Sequence, residues 1–118
     1  MSRILICGSR EWNNFDKIKK VLLEYQQSKE TTIIHGDCKG ADKIGAYLAK
    51  QLNMTVEAYP ANWKQYGRAA GPIRNQQMLD KGKPDICYAF HDCIEKSKGT
   101  KDMVNRCKSK GLTVNIIN

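Results

Sequence analysis

Strand-like and helix-like residue periods alternate along this 118-residue chain from end to end. Arg3-Ile4-Leu5-Ile6-Cys7 is a short, nearly continuous apolar run, the pattern of a strand covered on both faces. From Asp16 to Ser28 the period turns helical, with Phe15, Ile18, Val21, Leu22 and Tyr25 recurring on one face. The β-branched run Thr31 to His35 reads as a second strand. Ala41 to Leu52 reads as a second helix, striped by Ala41, Ile44, Leu48 and Leu52. Thr55 to Tyr59 is a third, weaker strand, which Pro60 stops. Pro72 opens another helix at a first-turn position that proline tolerates, and that helix runs to about Lys81 before Gly82-Lys83-Pro84. Asp85 to Phe90 is a fourth strand. Thr100 to Lys110 is a helix with Met103, Val104 and Cys107 inward, closed by Gly111, and Thr113 to Ile117 is a fifth strand.

Without a recognisable hairpin, this alternation predicts an α/β fold. The expectation is one three-layer domain over residues 1–118, its sheet mainly parallel and five-stranded, in the order 3-2-1-4-5 with right-handed crossovers. A chain of this length buries roughly two-thirds of its unfolded surface, enough for a core without staples. Hydrophobic residues at 41% and charged residues at 27% exclude a disordered tail. No apolar run approaches the roughly 20 residues of a spanning helix, so no membrane partner is expected. The chain enters its first strand directly after Met1, Ser2 and Arg3, which leaves no room for a signal peptide. Cys7, Cys38, Cys87, Cys93 and Cys107 are an odd set with no C-x-x-C pair, and the two histidines, His35 and His91, do not cluster with them. This usage fits a reducing cytoplasm and predicts no metal site.

In such a sheet, ligands bind beyond the carboxyl ends of the strands near the order reversal, here between the first and fourth strands. Glycine-containing polar segments follow strands one, two and four: Gly8-Ser9-Arg10, Gly36-Asp37-Cys38-Lys39-Gly40-Ala41-Asp42, and His91 to Thr100 ending Lys98-Gly99-Thr100. Glycine lets backbone N–H groups approach an oxyanion, and a helix N-terminus adds its dipole. Taken singly, each has a local alternative: Gly8 as turn chemistry, Asp37 or Asp42 as a cap of the second helix, Thr100 as a cap of the last. Neither G-x-G-x-x-G nor the Walker pattern is present, and no cofactor is expected. Gly71-Pro72-Ile73-Arg74-Asn75 places an arginine in the first turn of a helix, where a cation calls for an anion or a paired carboxylate. Trp63 and Tyr66, beside Arg68, form either a base-stacking wall or a packed loop.

These segments occur in an order that resembles a known family. Ile6 to Arg10, His35 to Asp42, Pro60-Ala61-Asn62-Trp63, Ala70 to Asn75 with Met78, and Gly99-Thr100 are similar to the YspA/YpsA-related branch of the SLOG superfamily, which includes the DprA and LOG proteins. The match covers nearly the whole chain. It implies a Rossmann-like fold and a site for nucleotides or nucleotide-derived ligands. Arg74 matches the arginine of the R-x-x-x-M helix that serves the LOG active site, and Asp102, two residues beyond Gly99-Thr100, takes the place of the LOG catalytic glutamate. The P-G-G-x-G-T loop of LOG enzymes is replaced by the longer Phe90 to Thr100 segment, which resembles phage-borne members.

Three readings follow. The first is a binding module that senses or sequesters a nucleotide or an ADP-ribose-type signal, lined by Gly8, Ser9, Arg10, Gly36, Lys39, Gly40, Asp42, Arg74, Asn75, Gly99 and Thr100. The second is a LOG-like phosphoribohydrolase, with Asp102 stabilising an oxocarbenium-like centre and Arg74 orienting ribose or phosphate. The bland alternative for Asp102 is a first-turn acid favoured by the helix dipole. The third is a nucleic-acid binder, drawing on 20 Lys and Arg against 12 Asp and Glu, a formal charge of +8. Dispersed lysines make nucleic acid the poorer fit. The expected partners are a nucleotide-derived small molecule and, as a homo-oligomer, further copies of the chain. The expected location is the cytoplasm, a host's if the protein is phage-borne.

Overall fold

The computed structural model describes residues 2–26 and 30–118 and shows the alternation as three layers. The strands are β1 (Ser2–Gly8), β2 (Thr31–His35), β3 (Thr55–Ala58), β4 (Ile86–Phe90) and β5 (Thr113–Ile117). They lie in the order β3-β2-β1-β4-β5, and every pairing is parallel. Helices α1 (Phe15–Glu24) and α2 (Ala41–Gln51) cover one face. The other face carries α4 (Ala70–Asp80) and α5 (Gly99–Ser109). A single turn, α3 (Trp63–Tyr66), precedes α4.

The continuous apolar strands explain the two cores. Ile4, Ile6, Ile33, Tyr88 and Phe90 point to α1 and α2, where they meet Ile18, Leu22, Ile44 and Leu48. The alternate residues Leu5, Cys7, Ile34, Cys87 and Ala89 meet Met78, Leu79, Met103, Val104 and Cys107. Each fully buried aliphatic side chain contributes roughly 1.5–3 kcal/mol, so a parallel sheet packed on both sides supplies the bulk of the stability.

Most element ends fall within a residue of expectation, and three local features differ more. Asn14 caps α1 by accepting from the Lys17 N–H at 3.2 Å, and the helix ends at Glu24, where Gln26 N–H folds back to the Leu23 carbonyl. Tyr25 therefore sits past the helix, its hydroxyl 2.7 Å from that of Tyr88. Gln27, Ser28 and Lys29 lie outside the described residues. Phe15 does not join the buried stripe: it is 46% exposed and stands edge-on to Tyr47. The third difference is α4, which starts at Ala70 rather than Pro72. Asn62 caps α3, and a 3₁₀ turn over Gly67–Ala69 runs straight into α4. Pro72 is still in the first turn, where its missing N–H costs no helical bond.

Candidate functional site

The chain reverses its winding between β1 and β4, and a cleft of about 390 Å³ opens there at the carboxyl ends of the strands. Its floor is Cys7, Met78 and Met103. The β1 exit contributes Gly8, Ser9, Arg10 and Glu11, and the β2 exit contributes Cys38 and Asp42. Arg74 and Asn75 come from α4, and His91, Ser97, Lys98, Gly99 and Thr100 from the β4 exit.

Two glycines hold the loops in register. Gly40 has φ +83°, and a Cβ there would stand 2.2 Å from the Ser9 carbonyl oxygen. This closeness lets the next residue, Ala41, donate its N–H to the same oxygen at 3.1 Å, joining the β1 and β2 exits. Gly36 makes room for Arg74: a Cβ would lie 2.6 Å from Nη1. Gly36 and Gly40 are thus packing positions behind the cleft, and neither lines it; nor does the exposed Lys39.

A chain of polar contacts runs behind the cleft wall. Asp42 is 6% exposed, and its Oδ2 accepts from the Gly36 N–H at 2.9 Å and the Cys38 N–H at 3.3 Å. Burial pushes its pKa up to about 6, against the opposing pull of those two bonds and of Arg74. It ties down the loop before α2 instead of capping that helix, whose N-cap is Gly40. Asp37 does not cap it either. It has φ +59° and pairs with Lys43 at 2.6 Å. His35 is buried with Nδ1 accepting from the Asp37 N–H, and desolvation lowers its pKa.

Arg74 is not the first-turn, anion-facing cation that Pro72 suggested. It is the fifth residue of α4 and 7% exposed. Its Nη1 donates to the Gly36 carbonyl, and its Nε donates to Asn75 Oδ1 at 3.0 Å. Asn75 Nδ2 in turn donates to Asp102 Oδ2 at 3.0 Å, which also accepts from Arg106 Nε at 2.8 Å. Arg74 and Asn75 reach the cleft with part of their surface, but Arg74 Nε and Nη1 and both ends of the Asn75 amide are engaged inside the protein. Asp102 does not line the cleft. It faces a groove between α4 and α5 beside Gln76 and Arg106.

At the β4 exit, Ser97 performs the capping expected of Thr100, its Oγ accepting from the Thr100 N–H at 3.0 Å. Thr100 is the second residue of α5. The N–H groups of the N-cap Lys98 and the first helical residue Gly99 have no helical acceptor. Neither acid of the lengthened segment lines the cleft: Asp92 is exposed, and Glu95 pairs with Lys101 at 2.9 Å, which lowers its pKa. Besides the floor residues Cys7, Met78 and Met103, the residues that sequence reading did not single out as lining are Glu11, Cys38, His91, Ser97 and Lys98. Their signal was position alone, each lying within a strand-exit loop. His91 Nδ1 accepts from the Cys93 N–H at 3.0 Å, which leaves Nε2 to carry the proton of the neutral ring. With Arg10 and Lys98 as exposed cations and Glu11 as an exposed acceptor, the mouth can take an anion and a hydroxylated sugar.

Comparison with known proteins agrees with this architecture. A family model described as "YspA, cpYpsA-related SLOG family" matches residues 2–66, more than half of the chain. The Gene 61 protein of Mycobacterium phage D29 is 31% identical over 121 residues, covering 97% of this chain and 94% of that protein. The X-ray structure of DNA processing protein A (DprA) from Streptococcus pneumoniae superposes with a TM-score of 0.77 at 17% identity, a likeness of fold. All of this chain is covered but only 50% of that one, so the chain spans about half the length of DprA. Its five parallel strands share the DprA Rossmann-like fold, and on the family match the chain belongs to the YspA, cpYpsA-related SLOG family.

Proposed function

We propose that the cleft binds a nucleotide or nucleotide-derived small molecule by its phosphate, and that the protein senses or sequesters this molecule without cleaving it. One observation carries the reading. Arg10, Lys98 and the first turn of α5 converge on the β1/β4 cleft, whereas the carboxylate of Asp102 is held outside it by Asn75 and Arg106. An anion is favoured by exposed cations and by a helix N-terminus, and its binding needs no further chemistry. A ribosyl hydrolase needs a carboxylate at the reacting carbon, since a misplacement of about 1 Å can cost roughly a hundredfold. Glu11, at the same mouth, suits the hydroxyls of a ribose. The five free cysteines fit action in the cytoplasm, a phage host's in a phage-borne member.

The test is titration calorimetry with AMP and ADP-ribose, followed by chromatography of the incubated mixture. Binding without release of free base is expected. Arg10→Ala and Lys98→Ala should each weaken binding about tenfold, near 1.4 kcal/mol, and Asp102→Asn should stay within about tenfold of the parent. Release of free base at turnover rates, abolished by Asp102→Asn, would make the protein a phosphoribohydrolase and overturn the reading.

A further inference from the structure

We propose that Trp63 and Tyr66, with the hollow beside them, form a nucleobase-stacking subsite, so that the ligand is two-ended: a phosphosugar in the cleft and a base on α3, joined across Arg74. The inference rests on the nucleotide-binding reading of the cleft and extends it. α3 buries none of its residues, and its aromatic side chains belong to neither apolar core. Trp63 is 51% exposed and Tyr66 42%. Three positions apart, they stand on the same side of their turn. Two large rings left in water, which neither core uses and which lie beside a hollow, are a feature that the cleft alone leaves unexplained.

The surroundings match a base and an anion. A hollow of about 250 Å³ lies between α3 and α4, lined by Tyr66, Ile73, Gln65, whose amide oxygen accepts from Asn62 Nδ2 at 3.0 Å, and Gln77. An amide offers a donor and an acceptor together, which is what a base edge requires. Arg74 lines this hollow and the cleft alike, so its guanidinium forms part of the wall the two share. Gly71 lies between Arg74 and Trp63: a Cβ there would stand 3.5 Å from Trp63 Cη2 and 4.0 Å from Arg74 Nη2. Between Glu57 and Asp80 the chain carries Lys64, Arg68 and Arg74 and no acid, so nothing on this segment repels a phosphate. The two exposed cations, Lys64 and Arg68, suit the few charges of a pyrophosphate-linked ligand better than the long backbone of a strand of nucleic acid.

The experiment compares ADP-ribose, which has both ends, with ribose 5-phosphate, which has no base. Trp12 is buried and Trp63 exposed, so quenching of tryptophan fluorescence reports on α3. ADP-ribose should quench and ribose 5-phosphate should not. Trp63→Ala and Tyr66→Ala, both at exposed positions, should each lower ADP-ribose affinity about tenfold, as loss of base stacking does. Ribose 5-phosphate should bind both variants like the parent, and Trp63→Phe should restore most of the ADP-ribose affinity. Equal ADP-ribose affinities for parent and Trp63→Ala would overturn the subsite and leave the cleft reading standing. If the parent bound neither probe at about millimolar concentration, both would fall. Binding of a short oligothymidylate that depends on Trp63, with ADP-ribose indifferent to it, would assign the aromatic face to nucleic acid and overturn the two-ended ligand.

Discussion

Asp42→Asn should make the protein more stable at neutral pH, although it removes a charge from a buried hydrogen-bonded site. The replacement has the same shape, and its amide oxygen can stand where Oδ2 accepts from Gly36 and Cys38. What it removes is the cost of ionising a buried carboxyl. Burial lifts the Asp42 pKa from the ordinary 3.8 to about 6, a difference that corresponds to roughly 3 kcal/mol. The sign follows from proton counting. Between pH 4 and 6 the folded state holds the Asp42 proton more tightly than the unfolded chain does, so this contribution to stability is complete below about pH 4 and is lost as the pH rises through about 6. His35, with its pKa lowered, contributes in the opposite sense over part of the same range, because its burial favours the neutral ring. The two proteins should therefore be compared by urea unfolding at matched pH, so that His35 cancels. The stability of the variant relative to the parent should rise by about 2–3 kcal/mol from pH 4 to 7. A difference that stays constant over that range, or moves against the variant, would show that the carboxyl is not held in a costly charged state and would refute the reasoning.

Arg74→Ala should lower stability by about 2–3 kcal/mol at pH 7, because it strands the Gly36 carbonyl and Asn75 Oδ1. Arg74→Lys should not restore it, since an ammonium cannot span both acceptors as the planar fork does; urea unfolding of both variants is the check. Gly40→Ala should cost roughly 1–3 kcal/mol or more, and it should shift the backbone amide signals of Ser9 and Arg10 in nuclear magnetic resonance spectra, since its Cβ would stand against the Ser9 carbonyl. ADP-ribose affinity should depend only modestly on salt. A roughly thousandfold loss between about 50 and 200 mM would instead indicate a polyanion neutralised at about six or more phosphates.

The strands were legible because their signal is local. Thr31–His35 and Thr113–Ile117 are β-branched runs closed by turn residues, and the structure keeps both boundaries. The order of the sheet followed from the absence of hairpins, since parallel strands need crossovers and crossovers have one hand. The start of α4 was not legible, because Ala69 caps it without a side-chain bond and Pro72 offered the stronger but misplaced signal. Arg74 shows the deeper limit. Its fate depends on Gly36, 38 positions away, and no local pattern shows that one glycine makes room for a distant guanidinium. The same holds for Asp102, whose partner Asn75 comes from the neighbouring helix.

These internal commitments bear on what chemistry the cleft can support. Arg106, Asp102, Asn75, Arg74, Gly36 and Asp42 form one connected series of hydrogen bonds behind the wall, linking α5, α4 and the β2 exit. Groups that satisfy one another in this way fix the positions of the loops, but each is then costly to redirect toward a reacting atom. The polar side chains with freedom at the mouth are Arg10, Glu11, His91 and Lys98. Two are cations that attract, one is an acceptor, and the His91 ring presents a donor because Nδ1 is occupied. A general acid for a leaving base must stand within hydrogen-bond reach of it, and a carboxylate must face the ribosyl carbon from the other side. Glu11 and His91 are the pair from which such an arrangement would have to be built, not Asp102 and Arg74. On the proposed reading, a cleft whose walls are locked and whose uncommitted polar groups lie at its rim holds an anion without cleaving the molecule that carries it.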